Sequence, residues 1–147
     1  MELLLKYGGD PNIATKEGTP MHIIVKTDNE QVAVYLLDHV KNLDFTIENT
    51  EGDNVLFYAA KLKANNIFTA ILERAIRKPE LPFSSNAIKA LNKVHRNGDH
   101  IIHQLSRETN IPLLNFLRNN HSDLKVNLEI VNKDNKTASD IQVDSPG

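Results

Sequence analysis

The chain has 147 residues with a formal net charge of −2, so charge alone favours neither nucleic acid nor an anionic membrane surface as a partner. Aromatic residues make up only 5% and Trp is absent, which argues against base-stacking platforms. The absence of Cys excludes disulfides, thiolate zinc sites and a cysteine nucleophile, and it fits a cytoplasmic setting. Uninterrupted apolar runs are short, so we expect no membrane insertion.

A helix start first appears at Thr19-Pro20-Met21-His22. Thr is a favoured N-cap, and Pro suits the first helical position because its missing N–H would have no partner there. The apolar residues that follow predict an amphipathic helix, which Asp28 and Asn29 end. A second apolar segment from Val32 predicts a second helix.

The same start returns at three later positions, where Asn54, His100 and Thr137 take the place of Thr19. The intervals between these four positions are 35, 46 and 37 residues. The long middle interval predicts an insertion at residues 78–94. We interpret it as a loop broken by prolines, followed by a short helix that residues 84–86 cap.

These helix starts, together with the Leu3-Leu4-Leu5 to Asp10-Pro11-Asn12 stretch, resemble the ankyrin repeat family, whose period is about 33 residues. The resemblance implies an all-α solenoid of stacked helix-turn-helix units joined by hairpin loops. We expect one domain over residues 1–147, made of a partial repeat 1–17, repeats 18–51, 52–97 and 98–134, and a partial repeat or cap 135–147. The apolar Leu3-Leu4-Leu5 face predicts a missing upstream repeat or self-association with a second chain.

The resemblance also implies a protein–protein interaction module or scaffold without a cofactor or catalysis. In this family, partners usually contact the hairpin tips and the exposed side of the first helix of each repeat. Leu62 is the one apolar residue at these positions, and we expect it to be an anchor for the partner. Carried over repeat by repeat, the expected partner-binding residues are Thr15, Lys16, Lys26, Thr27, Thr50, Glu51, Asp53, Lys61, Leu62, Arg96, Asn97, Asp99, Arg107, Glu108, Lys133 and Asp134.

Two other functions stay open at this point. The chain is alternatively the targeting segment of a larger enzyme, or of a secreted effector that works in a host cytoplasm, with catalysis elsewhere. A third reading is a regulator with a small-ligand site in the insertion. Phe83, within the insertion, is either an exposed contact or a residue that pins the loop to the core.

The histidines invite a metal hypothesis, because His100 and His103 have i,i+3 spacing and lie near His95. A structural role is favoured. His103 holds the repeat position of His22, where the family typically has a histidine that bonds within the turn network, and His100 holds an N-cap position. Neither a phosphate-binding loop nor a nucleophile elbow is present, so we expect no enzyme.

Overall fold

The computed structural model describes residues 12, 15–16, 18–40, 43–94 and 98–137. Over these residues the chain forms seven α-helices and no strand, which confirms the predicted all-α fold. None of these helices is both long enough and apolar enough to cross a membrane. The helices are α1 (Pro20–Lys26), α2 (Glu30–His39), α3 (Val55–Leu62), α4 (Asn65–Arg77), α5 (Pro82–Leu91), α6 (Ile101–Arg107) and α7 (Ile111–Asn119).

The chain divides into two compact units, residues 1–90 and residues 91–147. In the first unit, α1 packs on α2 and α3, and α4 packs on α2 and α3. Ala59 and Ala60 of α3 are fully buried, since their small side chains let neighbouring helices approach closely. In the second unit α6 packs on α7, with Leu105, Leu113 and Leu117 buried there. Each fully buried leucine contributes about 1.5–3 kcal/mol of hydrophobic free energy.

The predicted N-caps of the first helices are present. Thr19, Asn54 and His100 all have extended backbone and precede α1, α3 and α6. The Asn54 amide oxygen accepts from the backbone N–H of Phe57 at 3.0 Å, which satisfies a donor that would otherwise have no partner in the first turn. Thr137, the fourth predicted cap, is the last residue of the described part of the chain.

The first helix of each repeat ends in the same way, with a left-handed residue that is not glycine. These residues are Asp28, Lys63 and Thr109, with φ of 52°, 60° and 51°. The next backbone N–H then reaches back five residues, at 3.0 Å for the first repeat and 2.9 Å for the other two, which closes a Schellman motif. The prediction that the helix ends at Asp28 is confirmed. Lys63 and Thr109 carry no such signal in the sequence, because neither residue type is typical of a turn.

The insertion differs from its prediction at the start of its helix. The helix α5 begins at Pro82, so residues 84–86 lie inside it and do not cap it. Proline favours this first position because its φ is already helical. Ser84 instead donates its hydroxyl to the Lys78 carbonyl at 2.6 Å, which ties the helix to the preceding loop.

Phe83 pins α5 to the first unit. Its side chain is 1% exposed, and its ring meets that of Phe45 edge-on, with 5.8 Å between centroids. The Asn86 amide also donates to the Leu43 carbonyl at 3.2 Å. Phe83 is therefore a core residue, and the alternative of an exposed aromatic contact is wrong.

Gly18 and Gly52 form a matched pair, since both have positive φ, at 101° and 82°. A Cβ on Gly18 would lie 2.5 Å from the His22 ring, whereas a Cβ on Gly52 would have no atom within 4 Å. We expect Gly52→Ala to lower the free energy of unfolding by about 1 kcal/mol through backbone strain. Gly18→Ala should lower the free energy of unfolding by at least about twice that amount, because the His22 ring must also move. Urea unfolding measures the stability loss of each variant. Equal losses would show that the His22 ring does not restrict which residue fits at position 18.

Thr109 offers a stabilising substitution, because a β-branched residue at positive φ is strained. We expect Thr109→Gly to raise the free energy of unfolding by about 1 kcal/mol, after the entropy cost of glycine is subtracted. The neighbouring Glu108 has a φ of −84°, so Glu108→Gly should destabilise the fold. Thermal unfolding of both variants checks this pair, and a lower Tm for Thr109→Gly would contradict it.

Candidate protein-binding surface

Two loops have the same construction: residues 49–53 (tip 1), which precede α3, and residues 132–136 (tip 2), which follow α7 in the chain. In tip 1 the Asn49 side-chain oxygen accepts from the backbone N–H groups of Glu51 at 3.0 Å and Asp53 at 3.1 Å. The Asn49 N–H donates in turn to the Asp53 carbonyl at 2.9 Å. One asparagine side chain thus organises the whole loop.

Tip 2 repeats this pattern around Asn132. Its side-chain oxygen accepts from the N–H groups of Asp134 at 3.0 Å and Lys136 at 3.1 Å, and its own N–H donates to the Lys136 carbonyl at 2.9 Å. This role of Asn49 and Asn132 was not predicted. The signal in the sequence was an asparagine followed three residues later by Gly52 or Asn135, residue types that readily adopt the positive φ found there.

A buried histidine fastens tip 1 to α1. The backbone N–H of Thr19 donates to His22 Nδ1 at 2.9 Å, so the ring proton must lie on Nε2. His22 Nε2 then donates to the Asp53 carbonyl at 2.9 Å. Burial lowers the pKa of His22, against the opposite pull of the Asp53 carbonyl and carboxylate.

His103 fastens tip 2 in the same way. The backbone N–H of His100 donates to His103 Nδ1 at 3.0 Å, and His103 Nε2 donates to the Lys136 carbonyl at 2.9 Å. The prediction that His103 shares the structural role of His22 is confirmed. The His100 ring is also occupied, because its Nδ1 accepts from the Ile102 N–H and its Nε2 contacts the Asn92 amide oxygen at 2.9 Å.

The carboxylates of Asp53 and Asp99 hold the tips from the other side. Lys61 Nζ lies 2.9 Å from Asp53 and 3.4 Å from Glu51, and the hydrogen bond with Asp53 is the main cause that raises the pKa of Lys61. Arg107 forms the matching ion pair with Asp99. The Asp99 carboxylate also accepts from the Asn132 side-chain amide at 3.0 Å.

Asp53 and Asp99 were expected to be exposed partner-binding residues, and this expectation of exposure is wrong. Their exposed fractions are 4% and 1%. Each lies immediately before an N-cap, and its carboxylate is turned onto the long cationic side chain eight residues later. They position the tips and do not present a surface of their own.

Most of the other expected residues are exposed. Thr50 also donates its hydroxyl to the Lys16 carbonyl at 3.2 Å, which links tip 1 to the turn at residues 15–18. Glu108 is half-buried, and Arg96 and Asn97 lie outside the described residues, as do Leu3-Leu4-Leu5 and His95. The exposed members are Thr15, Lys16, Lys26, Thr27, Thr50, Glu51, Lys61, Leu62, Arg107, Lys133 and Asp134.

We define the tip-and-helix surface of each unit as the exposed residues that belong to that unit. In the first unit it runs from the turn at residues 15–18 and tip 1 to the carboxyl ends of α1 and α3. Leu62, at the end of α3, is 46% exposed and is its apolar member. Across the described part of the chain, no cluster of three or more potential metal ligands occurs.

The Lys61–Asp53 pair gives a test of the tip architecture. Lys61→Ala should lower the free energy of unfolding by about 1 kcal/mol, a modest loss because Lys61 is partly solvated, but real because the buried Asp53 carboxylate loses its partner. The loss should disappear in an Asp53→Asn background, as a double-mutant cycle would show. Lys89→Ala, on the exposed side of α5, is the control and should change stability little. Equal losses with and without the Asp53 carboxylate would contradict the pairing.

Comparison with known proteins gives the family. A model of ankyrin repeats, in three copies, matches residues 1–81. No curated protein shows a significant match. Ankyrin repeats are in general protein–protein interaction modules and are not typically catalytic.

Two solved structures resemble this chain at low sequence identity. One is described as the predatory endopeptidase Bd0816 from Bdellovibrio bacteriovorus in complex with the immunity protein Bd3460; the TM-score is 0.43 and the identity 18%, over 97% of this chain and 82% of that chain. The other is the ankyrin repeat domain of Bcl-3, a member of the IkappaB protein family, with a TM-score of 0.35 and 15% identity, over 95% of this chain and 85% of that chain. Because the family model covers more than half of its residues, the chain belongs to the ankyrin repeat family.

Proposed function

We propose that this chain binds a partner protein through the tip-and-helix surface. The observation that carries the proposal is that each tip contains some residues that build the loop and others whose side chains are exposed. Asn49 and Asp53 build tip 1 with buried or backbone-directed groups, while Thr50 and Glu51 between them are exposed. Tip 2 divides in the same way, with Asn132 building the loop and Lys133 and Asp134 exposed.

Such a surface is suited to binding because its backbone is already ordered. Hydrogen bonds of Asn49, His22 and Thr50 hold tip 1 in place. Partner binding would therefore not have to offset the entropy cost of ordering the loop. The side chains remain available to contact the partner. This arrangement supports recognition by side chains presented on a rigid frame.

The chemistry of the surface favours a protein partner with both polar and apolar contacts. Lys61 and Arg107 are paired with the buried Asp53 and Asp99 carboxylates, and Glu51 and Asp134 are exposed among the lysines. The charges are therefore largely balanced, and no strong single-sign field attracts a phosphate backbone. Leu62 sits among them beside Lys61 and Lys63, and its 46% exposure leaves apolar area to bury. An apolar centre with a polar rim is the usual anatomy of a protein interface.

The proposal is tested first by photocrosslinking in cells of the source organism, with a photoreactive phenylalanine analogue at one position at a time. Leu62 and Thr50 sample the tip-and-helix surface. Tyr35, on α2, the second helix of its repeat, is the matched control because its exposed fraction of 47% is close to the 46% of Leu62. We expect a discrete protein adduct from Leu62 and Thr50 and none from Tyr35. Adducts from Tyr35 alone would place the interface on α2 and contradict the proposal.

The adduct partner, once identified by mass spectrometry and purified, allows a quantitative test. We expect Leu62→Glu to weaken binding at least tenfold, or about 1.4 kcal/mol, through lost apolar burial and a new charge. Tyr35→Glu should leave Kd within about twofold, since scattered surface substitutions outside an interface have small effects. Titration calorimetry measures both, and an unchanged Kd for Leu62→Glu would rule out Leu62 as the anchor.

A further inference from the structure

We propose that α5 is an internal cap of the first unit, so that each of the two units of the chain unfolds independently of the other. The independence is a property of the chain by itself. Its consequence for binding, that Leu62 stays presented while the second unit is unfolded, rests on the function proposed above.

The hydrogen bonds of residues 90 and 92 lead into different units. The Ala90 carbonyl accepts from the Asn54 side-chain NH2 at 3.0 Å, within the first unit. The Asn92 side-chain NH2 donates to the Leu124 carbonyl at 2.9 Å, and its amide oxygen lies 2.9 Å from His100 Nε2, both within the second unit. The bonding therefore changes from one unit to the other at the end of α5.

The repeat that contains α3 directs its linking hydrogen bond to α5. In the repeats of His22 and His103, the histidine of the first helix donates to a carbonyl of the following tip at 2.9 Å. Phe57 holds that position in α3, and its side chain has no donor. Asn54 supplies the donor instead, and its acceptor belongs to the insertion. The first unit thus contains both partners of the bond that links this repeat.

The helix α5 is held against the first unit at a second place, residues 43–45. The buried Phe83 ring meets the Phe45 ring edge-on, with 5.8 Å between centroids. The Asn86 amide donates to the Leu43 carbonyl at 3.2 Å. Phe45 and Leu43 are themselves buried, so α5 takes part in the core of this unit.

The two sides of α5 differ as the two sides of a cap do. A repeat array needs at its end an element that buries apolar side chains on one side and faces solvent on the other. The buried residues of α5 include Phe83, Ala87 and Ala90, and its exposed residues are Pro82, Ser85 and Lys89, none of them a large apolar side chain. The insertion thus provides a cap within the chain.

A cavity made in one unit should therefore destabilise that unit alone. Leu36 and Leu117 are matched for this test, because each is the seventh residue of its helix, α2 or α7, and each is at most 1% exposed. Replacing either leucine by alanine removes buried apolar contacts and leaves a cavity.

Hydrogen exchange of the full chain without a partner measures the result for each helix. In Leu117→Ala, protection of the amides in α6 and α7 should fall at least about thirtyfold, while protection in α1 to α4 should change less than about threefold. Leu36→Ala should give the reverse. Complete unfolding of the substituted unit, with the other still protected, would support the proposal equally. A loss of protection spread over both units would overturn it.

Phe83→Leu tests the cap itself, and this conservative change is chosen so that the chain still folds. The smaller side chain loses contact with the Phe45 ring, so protection in α3 and α4 should fall about three- to tenfold while that in α6 and α7 stays unchanged. Lys89→Ala, on the exposed side of α5, is the control and should change neither unit.

Two outcomes of the Phe83→Leu experiment would contradict the cap. Equal losses in both units would show that α5 belongs to a single cooperative array, and no loss in the first unit would show that α5 does not cap it. Because none of these measurements needs a partner, failure of the binding proposal would not be confused with failure of the independence.

Discussion

The structure depends on one repeated interaction, the hydrogen bond from a histidine Nε2 to a carbonyl of the following tip. His22 makes it to Asp53, 31 residues later, and His103 makes it to Lys136, 33 residues later. A helical hairpin cannot bury its apolar face alone, so each repeat needs its neighbour. This bond joins neighbours at a fixed register, because a single donor atom on a fully buried histidine meets a single backbone carbonyl.

The repeat between them lacks this donor, since Phe57 takes the place of the histidine. The N-cap Asn54 supplies a different link: its side-chain oxygen caps α3, and its side-chain NH2 donates to the Ala90 carbonyl of α5 at 3.0 Å. A carbonyl of the insertion thereby accepts the hydrogen bond from this repeat that a carbonyl of the following tip accepts in the other two. Phe83 and Asn86 anchor the same helix to residues 43–45. Residues 78–90 of the insertion, the longest departure from the repeat period, are thus a packed part of the first unit.

The sequence was sufficient where a local residue type determines local geometry. Thr19, Asn54 and His100 all hold the predicted N-cap positions, and the side chains of Asn54 and His100 accept hydrogen bonds from the first turn. It was insufficient for Lys63 and Thr109, which adopt positive φ because the two flanking helices require it, against their own preference. The start of α5 was misplaced for a related reason, since Ser84 and Asn86 are good caps but bond instead to Lys78 and Leu43.

The sequence was also insufficient to predict which residues of the candidate surface are exposed. Asp53 and Asp99 occupy positions that the resemblance to ankyrin repeats assigns to the partner-binding surface. Only the structure shows that Lys61 and Arg107 form ion pairs with these carboxylates. The residues that build a tip are therefore separate from those that a tip displays. The side chains of Glu51, Lys133 and Asp134 do not bond to Asn49 or Asn132, so they can differ between relatives without disturbing those asparagines. A binding surface of this kind acquires specificity from its exposed side chains while its stability stays with the buried histidines, asparagines and carboxylates beneath them.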